Sequence, residues 1–220
     1  MTVLNLDLGD SETAVEIDTA IVAGWTGRDK AALEHHIAEL EELGVKRPSA
    51  TPIFYRVSAS RLTTDPEIES TEASSGEAEA VLLRADGRLW VGVGSDHTDR
   101  EVEAYGVAVS KQMCEKPIGA RLWAYEEIAD HWDELTLRSW IVEDGEEVPY
   151  QDGMLTAMLA PEDLLSASPN LADGTLMFCG TLAAIGGIRP APAFRAELRD
   201  PVLDRALEVR YSMRPLPLVS

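Results

Sequence analysis

Glu77 and Glu79, separated by a single alanine, stand ahead of the run AVLLRADGRLWVGVGS, and Asp96-His97-Thr98-Asp99 stands directly behind it. Asp86-Gly87 in the middle reads as a two-residue hairpin turn, because both central positions of a type I′ turn need positive φ. The branched and aromatic residues on either side suit strands. Counting outward from a regular turn, Ala85 faces Arg88, Arg84 faces Leu89, Glu79 faces Gly94 and Glu77 faces Asp96. Strand side chains alternate, so Glu77 and Glu79 share a face with Asp96, while Gly92 and Gly94 leave room beside them. Carboxylates opposed across a strand pair repel, and a hard divalent cation with oxygen ligands is the economical neutraliser. The alternative is chance clustering. The chain has 39 Asp and Glu against 19 Lys and Arg, and one bulge in the hairpin would undo the register.

The elements that must position these acids follow from apolar periodicity. VLNLDL and TAIVAGW within residues 3–24 read as strands. DKAALEHHIAELEELG places Leu33, Ile37 and Leu40 on one helical face, with Asp29 as N-cap and Gly44 and Pro48 as the stop. TPIFYRVS is a strand; LTTDPEIESTEASSG is polar enough to be a loop or flap with Asp65 and Glu67 in solvent. EVEAYGVAVSKQMC is a strand or short helix leading to a KPIG turn. WAYEEIADHWDEL is helical, with Trp123, Ile128, Trp132 and Leu135 on its apolar side. A second hairpin turns at Asp144-Gly145, and a short helix begins at Pro161. The C-terminal third is strand-rich. Strands do not alternate regularly with helices, so the fold class is α+β, mostly β with a few short helices, in a single domain spanning 1–220.

A formal charge of −20 argues against nucleic acid or an anionic membrane as partner. No basic segment followed by an apolar stretch opens the sequence, and no apolar run approaches a membrane span. Cys114 and Cys179 are too few for a disulfide framework and read as packed thiols, so a cytoplasmic protein is expected. Gly186-Gly187 resembles no phosphate-binding loop, which argues against a nucleotide cofactor. His97 is either a donor behind the acids or points away, and His131 with Trp132 reads as packing.

In order along the chain stand Glu77-Ala78-Glu79, Asp96-His97-Thr98-Asp99-Arg100-Glu101, Lys111 ahead of Pro117-Ile118-Gly119, and Cys179-Gly180-Thr181-Leu182-Ala183-Ala184-Ile185-Gly186. This order resembles the fumarylacetoacetate hydrolase-like superfamily, and in particular its small DUF2848-like branch, from about residue 20 to the C-terminus. That superfamily shows an E-x-E strand, a D-x-T/S-A-R-D stretch, a lysine opening a K-x-F-D turn and a T-G-T-P-x-G-V-G loop. Here Leu182 replaces the loop's proline, Asp99 replaces the alanine, and the interval from Glu79 to Asp96 is shorter. His36-Ile37-Ala38-Glu39 is similar to its H-x-x-E lid dyad; without the resemblance both histidines of the helix would pass for polar residues flanking an apolar stripe.

The resemblance implies a mixed β-roll and Mg²⁺ or Mn²⁺ held by Glu77, Glu79 and Asp96. It implies a small oxo-acid or 1,3-dicarbonyl substrate faced by Gly180, Thr181 and Arg100. Lys111 would place positive charge where an enolate develops, although a solvated lysine is the bland alternative, and Gly180-Thr181 could equally be a tight turn. His36, supported by Glu39, would deprotonate water and return a proton to the leaving carbon. The implied outcome is hydrolytic C–C cleavage of an acylpyruvate-like compound, in a homodimer. Decarboxylation or tautomerisation by the same enolate chemistry is the first alternative. A metal-holding binding protein without turnover is the second; the altered T-G-T-L loop favours it and the retained H-x-x-E counts against it.

Overall fold

The structure is a computed structural model that describes all residues except 10, 43–46, 169–170 and 218–220, and leaves the side chains of 36, 39, 40 and 42 undescribed. Two sheets face each other. The larger has six strands in the order Trp123–Ala124, Arg88–Ser95, Ala78–Ala85, Thr175–Thr181, Thr19–Gly24 and Ile53–Val57. The smaller has five: Glu146–Met154, Thr136–Glu143, Ala193–Asp200, Arg205–Pro215 and Glu67–Ser70. Most pairings are antiparallel, but Thr175–Thr181 runs parallel to Thr19–Gly24, and Arg205–Pro215 parallel to Glu67–Ser70. The fold is α+β and mostly strand, as expected.

The central strands of the larger sheet are apolar on both faces. Ala80, Leu82, Val91, Val93 and Met177 pack toward Leu137, Phe194, Leu198 and Val209 of the smaller sheet. On the other face Val22, Val81, Leu83, Leu176 and Phe178 meet Leu4, Leu6, Val15 and Ile17 of the N-terminal hairpin Thr2–Asp7/Glu12–Ile17. Burial on both faces explains why TAIVAG, AVLL and TLMFC read as continuous apolar runs.

The acid-bearing hairpin has the register counted from its turn, with Ala85 opposite Arg88 and Glu79 opposite Gly94, and no bulge interrupts it. Asp86 and Gly87 take φ of 51° and 70°. The helix Lys30–Glu42 forms, and Asp29 caps it by accepting from the N–H groups of Ala31 and Ala32; the expected stop at Gly44 lies outside the described residues. The second hairpin turns at Asp144-Gly145, and Pro161 opens the helix Pro161–Ala167.

Two expectations need correction. The polar stretch after residue 60 is not a loop: it supplies the short strands Leu62–Thr63, Glu67–Ser70 and Ser74–Ser75. Its polarity misleads because Glu67 and Glu69 point outward while Ile68 and Ser70 are buried. WAYEEIADHWDEL is not one α-helix but two 3₁₀ segments, Tyr125–Glu127 and Ala129–Glu134, with His131 at non-helical φ. Ile128, Trp132 and Leu135 are nevertheless buried. The segment left open between strand and helix is helical, over Arg100–Glu103 and Val107–Met113. Among the described residues no helix is long and apolar enough to cross a membrane.

Candidate metal centre and cavity

The three acids converge where the hairpin ends. The Asp96 N–H donates to Glu77 O at 2.9 Å, which continues the ladder one step past the strands. One carboxylate oxygen from each of Glu77, Glu79 and Asp96 lies within 4.8 Å of the other two. Glu79 and Asp96 are buried and Glu77 is partly so. Gly92 and Gly94 do not leave open space beside them. A Cβ on Gly94 would sit 2.8 Å from the Phe178 ring and 3.0 Å from the Pro117 carbonyl, and one on Gly92 would sit 2.9 Å from Val81. Gly94 lets the KPIG segment lie against the strand, which brings Lys116 to the acids.

Lys111 projects from the helix Val107–Met113, with Nζ on Asp96 Oδ2 and 3.5 Å from Glu77 Oε2. Arg100 Nη1 lies 3.4 Å from Glu77 Oε1 and donates to Glu103 at 2.9 Å, while its Nε donates to Ser75 Oγ at 2.7 Å. Lys116 went unnoticed in the sequence. It is fully buried; its Nζ donates to the carbonyls of His97 at 2.6 Å and Cys114 at 3.2 Å and stands 3.3 Å from Asp96 Oδ1. The available signal was its position directly before Pro117, in a segment that pairs with Leu62–Thr63.

Three carboxylates and the cations Arg100, Lys111 and Lys116 act on one another at close range. Burial, and then Asp96, push the Glu79 carboxyl well above the usual carboxylate range despite Lys111. Burial also acts against the Asp96 charge, but Lys111 and Lys116 outweigh it and hold the group below its ordinary value. Lys111 is raised because Asp96, Glu77 and Glu79 overcome the cost of its own burial. The donor set is oxygen only, and Asp96 Oδ1 is buried with the Lys116 ammonium 3.3 Å away. Those residues fit a hard divalent cation, whose charge would relieve the repulsion among the three carboxylates.

Glu79 is held from behind. The Gly180 N–H donates to Glu79 Oε2 at 2.6 Å, and Gly180 has φ of +103° with its missing Cβ only 1.8 Å from Thr26 Oγ1. The Thr181 hydroxyl donates to Ala78 O at 2.8 Å and accepts from Gln151 Nε2 at 2.7 Å. Gln151 Oε1 in turn accepts from Ala78 N at 2.9 Å. Gly180 and Thr181 therefore spend their donors on the acid-bearing strand, and they line the cavity as wall. Asp99, at the position of the superfamily's alanine, caps the next helix by accepting from Val102 N at 2.8 Å. His97 lies behind the acids, with Nε2 2.8 Å from Ser74 Oγ and Nδ1 3.0 Å from Tyr211 Oη. Burial, reinforced by Lys116 and Arg100, lowers its pKa to about 3, so it is a neutral strut.

A cavity of about 700 Å³ opens onto Glu77, Glu79, Arg100 and Lys111. The helix Lys30–Glu42 borders it through Leu33. His36 and Glu39 belong to that helix, but their side chains lie outside the described residues.

A family model described as "Protein of unknown function (DUF2848)" matches residues 23–211. No curated protein matches the sequence. Among solved structures, the chain is similar to a fumarylpyruvate hydrolase from Pseudomonas aeruginosa in complex with Mn²⁺ and pyruvate, at 15% identity and TM-score 0.64, over 98% of this chain and 97% of that one. It is similar to a yeast fumarylacetoacetate hydrolase family protein at 18% identity and TM-score 0.63, over 91% and 95%. A 2-keto-3-deoxy-D-arabinonate dehydratase in its apo form is 16% identical with TM-score 0.63, over 93% and 76%. At such identities the likeness establishes the fold.

Proposed function

We propose that this chain, which belongs to the DUF2848 family and has the fumarylacetoacetate hydrolase-like fold, is a Mg²⁺- or Mn²⁺-dependent hydrolase of a C–C bond in a small 2-oxo acid or 1,3-dicarbonyl compound. The observation that carries this reading is the meeting of three carboxylates within 4.8 Å at the edge of a cavity of about 700 Å³. Glu77, Glu79 and Asp96 would hold the cation. When bound, a divalent cation supplies Lewis acidity toward a substrate carbonyl and charge for the enolate that leaves.

The chain's own residues do the rest. Lys111 keeps a positive charge beside Asp96 and Glu77, where a developing enolate oxygen is stabilised by a fixed cation in a site of low dielectric. Arg100, held by Ser75 and Glu103, orients Glu77 at the cavity; its contact with the substrate is what the resemblance implies. His36, supported by Glu39 one helical turn on, takes a proton from water and returns it to the departing carbon; this assignment rests on the resemblance. Gly180 and Thr181 set the wall against which the substrate lies by fixing Glu79 and the strand that carries it.

The proposal includes a homodimer. It is supported by the apolar residues at the chain's surface, Val202, Leu203 and Leu216 among them; light scattering at micromolar concentration would read two chains per particle.

The test of function is absorbance of the enol form of acylpyruvates incubated with protein and Mn²⁺, with products identified. Hydrolysis products support the reading. Release of CO₂, or enol-to-keto conversion alone, assigns decarboxylation or tautomerisation. Metal-dependent stabilisation without any turnover assigns a metal-holding binding protein.

A further inference from the structure

The cavity is much larger than the reactive head it would serve. A three-carbon oxo-acid head has six non-hydrogen atoms, and at about 30 Å³ each, a water's share of liquid volume, it fills on the order of 180 Å³. The cavity measures about 700 Å³. The head alone leaves most of that space unfilled.

Apolar side chains wall that space: Trp25, Leu33, Tyr55, Val107, Leu182 and Ile188. They come from five separate parts of the chain, so the apolar character is not the by-product of one greasy segment. Among the described lining residues the cations are Arg100 and Lys111, and both are engaged by the acids at one end. Glu103, also on the wall, adds negative charge and is tied to Arg100. A carboxylate at the tail of a ligand would thus leave water for an apolar wall with no free cation among those residues, and burying an uncompensated charge is strongly unfavourable. An apolar tail would gain from the same burial.

We infer that the substrate is a monocarboxylate, a 2-oxo or 1,3-dicarbonyl acid whose remainder is a bulky branched or aromatic hydrocarbon group. This rests on the proposed function for the head of the molecule; the tail is read from the wall. Selection against dicarboxylates comes from the absence of a second counter-charge among the described lining residues, and selection for bulk comes from unfilled apolar volume.

The experiment is a binding series on the full chain loaded with Mn²⁺, using pyruvate, 4-methyl-2-oxopentanoate, phenylpyruvate and 2-oxoglutarate. Mn²⁺ alone is the first arm, read by thermal shift; no shift there overturns the metal reading and this inference with it. With Mn²⁺ bound, the branched and aromatic acids should bind at least tenfold more tightly than pyruvate, the order of magnitude for burying one leucine-sized group. 2-Oxoglutarate should bind no more tightly than pyruvate. Tighter 2-oxoglutarate, equal affinities throughout, or no binding of any of the four despite the Mn²⁺ shift would overturn the inference alone. Val107→Arg puts a cation on the apolar wall and should move the preference toward 2-oxoglutarate; a folded variant with an unchanged ratio would also count against it.

Discussion

Lys116 Nζ stands 3.3 Å from Asp96 Oδ1, and both side chains are closed to solvent. A lysine so placed cannot be a passive neighbour, because burial opposes its charge and, among the described residues, Asp96 and the carbonyls of His97 and Cys114 are what offset that. Lys116→Met leaves two carbonyls bare and removes one of the two lysine charges beside Asp96. Breaking a buried pair from one side costs about 3–5 kcal/mol, so the urea midpoint should fall steeply. A midpoint within error of wild type would show that the charge is dispensable.

Metal removal reads the acid cluster directly. Mn²⁺ should raise the melting temperature and a chelator lower it, with a stabilisation of about 2.7 kcal/mol when free metal is a hundredfold above Kd. Glu79→Gln keeps an acceptor for the Gly180 N–H but loses the charge. The variant should stay folded and lose most of the response; a full Mn²⁺ response would remove Glu79 from the ligand set.

Gly180→Ala tests the wall. The new methyl would overlap Thr26 Oγ1 on a backbone with φ of +103°, so overpacking and strain together should cost on the order of 3 kcal/mol. Adding Thr26→Ala removes the overlap but not the φ, and should recover only part of the loss in a double-mutant comparison of chemical denaturation.

His36→Ala separates chemistry from metal. The histidine is proposed to move protons, so the Mn²⁺ thermal shift should persist while turnover drops roughly a hundredfold to ten-thousandfold. Glu39→Gln should cost less, because it only weakens the charge behind the imidazolium. Loss of the Mn²⁺ shift in His36→Ala would make His36 a ligand instead.

Asp200 gives a pH dependence away from the acids. It is buried, and although burial works to raise its pKa, hydrogen bonds from the Leu203 N–H, His131 and Arg205 outweigh that and hold it below the ordinary aspartate value. A depressed carboxylate contributes stability in full above its unfolded pKa of about 3.9 and loses it as pH falls. The difference in unfolding free energy between wild type and Asp200→Asn should therefore be largest near neutrality and shrink on acidification below about pH 4, as urea titrations at the two ends would record.

The acid cluster was legible because its geometry is local. Asp86-Gly87 fixes the turn, eight cross-strand pairs follow without a bulge, and Glu79 must then face Gly94. The helix cap at Asp29 was legible for the same reason. Lys116 was not, because its burial depends on a parallel pairing with Leu62–Thr63 inside a stretch whose polar composition hides three strands. The cavity wall was not legible either. Trp25, Tyr55 and Leu182 are far apart along the chain and meet only through the order of the sheet. The room assigned to Gly92 and Gly94 was misjudged, since a missing side chain in a packed sheet invites a neighbour in.

The strand Thr175–Thr181 joins two ribbons that are otherwise separate, Thr19–Gly24 with Ile53–Val57 on one side and Ala78–Ala85 with Arg88–Ser95 on the other. About 150 residues separate Gly24 from Thr175, and a ribosome adding about 5–20 residues per second takes roughly ten to thirty seconds to make them. For that interval the nascent TAIVAG edge has one hydrogen-bonding row open and its Ile21 and Ala23 face unburied, the state most prone to pair with another chain. Lower temperature slows synthesis and lengthens that exposure, so soluble yield should respond more to holdase chaperones during translation than to any treatment of the finished protein.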